Sequence, residues 1–356
     1  MKKTTANSQQ PIAILVTGGA GFIGSNFIRM ILNEELQYKV INLDALTYAG
    51  NLNNLKDVED NPDYTFIKGD IRDNVLVDDI FKKYNPGIVI NFAAESHVDR
   101  SIDNPEEFLD TNIMGTFTLL EAAKKHGMLT ANSQQPTAKF IQISTDEVYG
   151  ELGEEGLFSE ESPLAPNSPY SASKASADML AKAYFRTYGL PVIITRCSNN
   201  YGPYQFPEKL IPLMISNALE DKALPVYGEG MNVRDWIHVD DHCRGLIAVI
   251  KNGVPGEVYN FGSNNERKNI EIVKIILQHL GKSEELIKYI KDRPGHDKRY
   301  AMNPKKAMKE IGWKPLVSFE KGIESTINWY MNNMEWWEEI KNGEYKEYYN
   351  KMYSNR

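Results

Sequence analysis

The turn after the first apolar run constrains this chain more than any other feature. Ile12–Thr17 reads IAILVT, as expected of a strand buried on both faces. Gly18, Gly21 and Gly24 follow at three-residue spacing, and SNFIRMILNEE (25–35) then has helical periodicity. A bare glycine pattern is often a simple tight turn. Between a strand and a helix, at the first βα turn, the glycines let backbone N–H groups approach a pyrophosphate at the helix N-terminus. Asp44 ends the next strand-like run, KVINLD (39–44), 20 residues after Gly24. A carboxylate there bonds the adenosine ribose hydroxyls and repels a 2′-phosphate, so NAD is expected rather than NADP. Asp70 and Ile71, after a third run (64–70), are placed for the adenine.

The alternation continues. Residues 75–84 read as a helix, 87–93 as a strand, 106–126 as a long helix, 139–145 as a strand, 170–188 as a helix and 191–196 as a strand. Strands separated by helices of this length build right-handed βαβ units. The expected fold class is α/β: a Rossmann-like doubly wound parallel sheet with a smaller mixed α/β C-terminal substrate lobe. After about residue 200, Pro203, Pro207, Pro212 and Pro225 punctuate the chain, and glycine and aromatic residues rise. The expected division is a tail (1–11), a dinucleotide-binding domain (12–200, with 231–260 returning to it) and a substrate lobe (201–230 and 261–356). A lobe placed beyond the carboxyl ends of the strands closes a cleft over the ligand.

Two motifs fall at that strand edge. Tyr170 and Lys174, in YSASK, lie four residues apart on one helix face. A nearby ammonium and a positively charged nicotinamide ring lower a phenol's pKa, which lets Tyr170 act as a base near neutral pH. Thr145, ending the fifth strand, is placed to hold a reacting hydroxyl together with Tyr170. Asp146 and Glu147 follow at once. Asp-Glu is a common dipeptide and usually a pair of solvated loop acids; its position gives it weight here. Oxidation needs only the Tyr–Lys pair. An added carboxylate pair points to an acid and a base for β-elimination of water, since adjacent carboxylates split their pKa values.

Composition narrows the partners. Lys plus Arg number 40 against 48 Asp plus Glu, a net charge of −8 in 356 residues. Nucleic acid and anionic membranes are poor partners for such a chain. No apolar run reaches membrane-spanning length, and no apolar core of a signal peptide follows the two N-terminal lysines. Cys197 and Cys243 have no metal-ligand spacing, so no metal site is expected, and two thiols suit a cytoplasmic protein. The heptapeptide TANSQQP occurs at 5–11 and again at 130–136 and reads as exposed loop or tail. The aromatic C-terminus (Trp329, Trp336, Trp337, Tyr345, Tyr348) is interleaved with Glu, which favours lobe packing over nucleic-acid stacking.

The segments VTGGAGFIGSNF, LDALTYAGN, NFAAESHVDRSI, STDEVYG, APNSPYSASKASAD, TRCSNNYGPYQFPEKLIP, GEGMNVRDWIHVDDH and DRPGHDKRY resemble the extended short-chain dehydrogenase/reductases. Within that family they most closely resemble the nucleotide-sugar dehydratases acting on dTDP-glucose, over nearly the whole chain from about Ile12 to Trp337. The resemblance implies conversion of dTDP-D-glucose to dTDP-4-keto-6-deoxy-D-glucose and water. Tyr170 would serve as oxidation base, Glu147 as C5 base and Asp146 as acid for the C6 hydroxyl. Thr145 and Lys174 would position hydroxyl and ribose. It adds Phe22, Ile23, Thr47, Ala93, Glu95, Thr111 and Asn200 to the cofactor site. To the substrate site it assigns Ser96, Asn199, Lys209, Leu210, Pro225, Tyr227, Arg234, Asn269 and the Asp292–His296 stretch. Of these, Arg234 and Arg293 are the natural diphosphate clamps, because guanidinium presents a planar fork. His97 and His296 are expected in hydrogen-bonding or structural roles. A homodimer through a bundle of the 106–126 and 170–188 helices is implied as well. A 4-epimerase of the same superfamily would share the glycines, Tyr and Lys without needing Asp146 and Glu147. Other nucleotide-sugar 4,6-dehydratases would differ in the residues reading the base. A non-catalytic NAD-binding module could dispense with Tyr170 or Lys174.

Overall fold

The computed structural model describes residues 11–34, 38–128 and 138–342. The two TANSQQP segments (apart from Pro11), Tyr345 and Tyr348 lie outside the described residues. In chain order the strands are β1 (Ile12–Thr17), β2 (Tyr38–Asp44), β3 (Tyr64–Lys68), β4 (Ile88–Asn91), β5 (Lys139–Thr145) and β6 (Val192–Cys197). There follow β7 (Asn199–Tyr201), β8 (Leu224–Tyr227), β9 (Val233–His238), β10 (Val258–Phe261), β11 (Glu266–Lys268) and β12 (Ile287–Ile290).

Seven strands form the large sheet, in the order β3-β2-β1-β4-β5-β6-β10, and every neighbouring pair is parallel. The chain first winds outward from β1 to β3, then restarts on the other side of β1 with β4. The switch between β1 and β4 opens a crevice at the strands' carboxyl ends. Helices cover both faces. Ile14 and Val16 pack with Phe27, Ile31, Leu246, Val249 and Trp313 on one side. Leu15 packs with Leu43, Leu119, Leu120 and Phe140 on the other. The alternation along β1 is the period-two pattern of a strand between two helical layers.

Two expectations differ from the structure in detail. The long helix expected at 106–126 is instead α-helical at Pro105–Leu109, π-type at Asp110–Gly115 and α-helical again at Thr116–Lys125. Asn112 explains the wide turn: its amide accepts from the Glu95 N–H (2.9 Å) and donates to the Glu95 carbonyl (3.0 Å). The residues expected to rejoin the first domain, 231–260, divide between units. β9 pairs with β7 and β11 in a separate three-stranded sheet. The helix Val239–Asn252 and β10 belong to the large sheet's layers. A third core, with Trp236, Ile272, Ile276, Phe319, Ile327, Tyr330 and Trp337, fills the smaller lobe. Among the described residues no helix is long and apolar enough to cross a membrane, and no group of ligands could hold a metal ion.

Candidate active site

The crevice is a cavity lined by the glycine loop, the ends of β2, β4, β5 and β6, and the start of the helix Pro169–Tyr188. Its first wall is backbone. Gly18 has φ 68°, and a Cβ there would lie 2.7 Å from the Ala93 nitrogen. A Cβ on Gly24 would stand 2.8 Å from the Gly19 Cα. Side chains are excluded at both positions, so the loop stays flat against the sheet. Gly21 caps the helix Phe22–Leu32 with no side-chain hydrogen bond. The N–H groups of that first turn therefore have no partner in their own helix. A bound pyrophosphate would take them. Asp44 sits at the end of β2, accepting from the Ala20 N–H and the Leu46 N–H, each at 2.8 Å. Burial raises its pKa against those two bonds. The donors, cradle and acidic residue fit a dinucleotide, and Thr47, Ile71, Ala93, Thr111 and Asn200 line the same cavity.

Asp70 differs from a free adenine acceptor. Burial raises its pKa, but Arg72 outweighs this through a 2.7 Å ion pair and leaves the pKa lowered. Glu95 also lines the cavity. Burial, reinforced by the charge of Glu107, pushes its pKa up to about 7.

The expected catalytic residues come together. The helix carrying Tyr170 and Lys174 is started by Ser168 and Ser171, which cap each other reciprocally, with Pro169 in its first turn. Lys174 Nζ donates to the Ile143 carbonyl at 2.7 Å, which ties the helix to β5. Thr145 donates to Asp146 Oδ1 at 3.1 Å. Burial and the neighbouring Glu147 raise the Tyr170 pKa, which the Thr145 hydroxyl works to lower. The expectation of a phenol lowered by Lys174 thus does not describe the protein alone, in which burial wins.

The two carboxylates are not equivalent. Asp146 is 2% exposed, and its Oδ2 has no hydrogen-bond partner. Burial and the Glu147 charge push its pKa up to about 8. Burial raises Glu147 too, and its pKa stays above the usual carboxylate range although Arg293, Arg234 and Lys209 oppose the rise. Asp146 keeps its proton at neutral pH, while Glu147 faces cations that favour its ionised form.

Ser96, Asn199 and Lys209 line the cavity, and Lys209 Nζ donates to the Ser96 carbonyl at 2.8 Å. Leu210, Pro225, Tyr227, Arg234, Asn269, Arg293 and His296 do not line it. Some of these still join the site from the smaller lobe. Arg234 is buried, donates to the Val233 and Asp297 carbonyls, and lies 4.4 Å over the Tyr300 ring. Tyr227 donates to Asp99 at 3.1 Å, and Arg293 stands 3.9 Å from the same carboxylate. His296 bonds Asp292 at 2.6 Å, and burial with Arg293 lowers its pKa to about 4, so it is neutral. Burial lowers His97 as well. Leu210, Pro225 and Asn269 have no contact that ties them to the carboxylate pair.

Sequence inspection missed several supporting residues. Asn112 also donates to Ser173, joining the Glu95 loop to the Tyr170 helix. Arg196 pairs with Asp178 at 2.9 Å and donates to the Tyr149 hydroxyl at 2.8 Å, bracing the turn that carries both acids. Asp178 falls four residues after Lys174 and eight after Tyr170, and that helical spacing was the available signal.

A doubly wound sheet with a glycine cradle and a Tyr–Lys pair defines a dinucleotide-dependent short-chain dehydrogenase/reductase. Residues 15–326 match the family model described as GDP-mannose 4,6 dehydratase. The chain belongs to that family. A curated relative from Neisseria meningitidis serogroup B, named dTDP-glucose 4,6-dehydratase, is 53% identical, covering 94% of this chain and 97% of its own. The crystal structure of the dTDP-glucose 4,6-dehydratase from Bacillus anthracis in complex with NAD has a TM-score of 0.84 and 54% identity, covering 93% of this chain and 100% of that one. The dTDP-glucose 4,6-dehydratase structure from Streptomyces venezuelae, with NAD and TYD bound, has a TM-score of 0.88 and 48% identity, covering 93% and 100%.

Proposed function

We propose that this chain dehydrates dTDP-D-glucose to dTDP-4-keto-6-deoxy-D-glucose, with NAD held in the glycine-loop cavity. One observation carries the proposal beyond the family: Asp146 and Glu147 line the same cavity as the Tyr–Lys pair, where burial favours the acid form of Asp146 and cations favour the ionised form of Glu147. An epimerase needs no such pair. The names of the relatives support the choice of dTDP-glucose.

The first-turn N–H groups of Phe22, Ile23 and Gly24 would hold the pyrophosphate, and Asp44 the adenosine ribose. NAD bound there would supply the acceptor for the electron pair that leaves sugar C4 and the donor of the pair that arrives at C6. Tyr170 Oη takes the proton of the C4 hydroxyl, with Thr145 steering the same oxygen. Lys174 orients the nicotinamide ribose and adds positive charge that favours the phenolate. The new C4 ketone acidifies the C5 proton, which Glu147 removes. Asp146 gives its proton to the C6 hydroxyl, which departs as water. Glu147 then returns a proton to C5. Arg234 and Arg293 bind the substrate diphosphate, and this charge also favours the ionised form of Glu147.

Incubation of the protein with dTDP-glucose, without added NAD, should give the alkali-dependent near-ultraviolet absorbance of a 4-keto-6-deoxy sugar. No signal with dTDP-, UDP- or GDP-glucose, even with NAD added, would overturn the proposal.

The acid form of Asp146 is lost as pH rises through about 8. The elimination step should therefore fall about tenfold per unit above that pH, and fall again on the acid side, where Glu147 takes up a proton. An unchanged rate well above pH 8 would remove Asp146 as the acid.

We also propose a homodimer, in a cytoplasmic setting that suits two free buried thiols. Leu109, Phe117 and Met179 are exposed on the packed 105–125 and 169–188 helices, and a second copy would cover them. Phe117→Glu with Met179→Glu should convert a dimer to a monomer in light scattering. A monomeric wild type would refute the dimer.

A further inference from the structure

The C-terminal tryptophans are a sequence feature that the chemistry above does not use, and they reach further than lobe packing. Trp337 is buried in the smaller lobe's core and donates to the Tyr330 carbonyl at 3.0 Å. It anchors the helix Met334–Asn342 there. The neighbouring Trp336 packs against that core beside Trp329 and Tyr330, with ring centroids 5.1 and 6.2 Å away, and bonds beyond it. Its indole N–H donates to Asn54 Oδ1 at 2.9 Å, 282 residues back in the chain.

Asn54 is 1% exposed. Its amide donates to the Ala20 carbonyl, in the middle of the glycine loop, at 2.9 Å. That carbonyl also accepts from the Asn51 N–H at 3.1 Å. The N–H of Ala20 donates to Asp44 Oδ2. A single series of bonds thus runs from the C-terminal helix through Asn54 to the glycine loop and the ribose carboxylate. The Asn54 carbonyl accepts from Arg29, whose guanidinium lies 4.0 Å over the Tyr204 ring. Tyr204 packs against Trp329 and Trp336, with ring centroids 4.6 and 5.9 Å away. Asn53 adds a bond to Glu339 of the same C-terminal helix.

We propose that Trp336 and Asn54 form a clasp that sets how long the dinucleotide stays bound. The clasp rests on the NAD site proposed above. Thr47, Ala49 and Gly50, just before Asn54, line the cavity. A bound dinucleotide leaves when this segment and the glycine loop part, and that motion breaks the bonds of Asn54. The dehydration has no net redox change, so the cofactor need never exchange between turnovers. A site for such a reaction gains from slow release, unlike a dehydrogenase that must trade its cofactor every cycle. Trp336 and Asn54 are positioning residues, since they act through Ala20 and Asp44.

The test uses the full-length holoprotein and reads NAD occupancy after purification and the NAD dissociation rate. Trp336→Phe keeps an aromatic ring and removes only the donor. It should release NAD about fivefold to tenfold faster, the worth of one hydrogen bond. Asn54→Ala breaks the series at its centre and should release NAD faster still. The double variant should match Asn54→Ala, because links in series do not add. Trp329→Phe alters the same aromatic layer without removing a bond to Asn54 and should speed release less than Trp336→Phe.

Wild-type release from Trp336→Phe would overturn the clasp. So would equal acceleration by Trp329→Phe, or effects of the two variants that multiply. If Asn54→Ala does not fold, the contrast between the two tryptophan variants decides. A wild type that binds no NAD at all would instead overturn the cofactor site itself, and the clasp with it.

Discussion

Tyr170→Phe should lower the rate of C4 oxidation by about 10³-fold, within the range for loss of a positioned proton acceptor. The ring and its packing stay, since Tyr170 sits in a small cluster with Val98 and Phe108 and meets Phe108 edge-on. Only the hydroxyl goes. No other side chain at the site can replace it. Lys174 is committed to the Ile143 carbonyl, Asp146 holds its own proton, and Glu147 is needed at C5. A single-turnover experiment should show neither reduced nicotinamide nor product. Oxidation within tenfold of wild type would mean that another group takes the C4 proton.

Glu147→Gln should have an equally large effect on a different step. The amide fills nearly the same space and cannot accept the C5 proton. Oxidation at C4 does not call on Glu147, so the absorbance of reduced nicotinamide should build up while product formation falls by about 10²–10⁴-fold. Burial and Glu147 together raise the Tyr170 pKa. Neutralising Glu147 removes one of those obstacles, so oxidation should be no slower than in wild type. Asp146→Asn should stall after the same oxidation, for want of an acid at the C6 oxygen. If Glu147→Gln turned over normally, the carboxylate pair would have no place in the chemistry. If it failed at oxidation as well, the two steps would share a group, and the separation of roles would be lost.

The sequence carried the large sheet because its signal is local. IAILVT before a glycine turn needs no distant partner to be read as a buried strand, and the capped helix beginning at Pro169 lies within one residue of its expected start. Hydrophobic period says nothing of side chains that bond another element's backbone. Asn112 was therefore invisible as the cause of a π-type turn, and the expected helix came out too regular. β9 shows the same limit. Val233–His238 has a strand's composition, but which sheet it joins depends on β7 and β11, far away in sequence. Buried charge was equally hidden. Asp146 and Glu147 look alike on paper, and what separates them is Arg293 and Lys209, which act on Glu147 while Arg234 acts on both.

The path of the chain has a consequence for folding. After β6 it crosses to the small sheet at β7 and β9, returns as the helix Val239–Asn252 and β10, and leaves again at β11. Leu246, Val249 and Trp313 sit in the same core as β1. A fragment ending near residue 200 would lack an edge strand and part of the cover of one sheet face. Neither half can then mature before the other, so synthesis must run past Trp313 before the nucleotide crevice closes. Unfolding should be a single cooperative event rather than two.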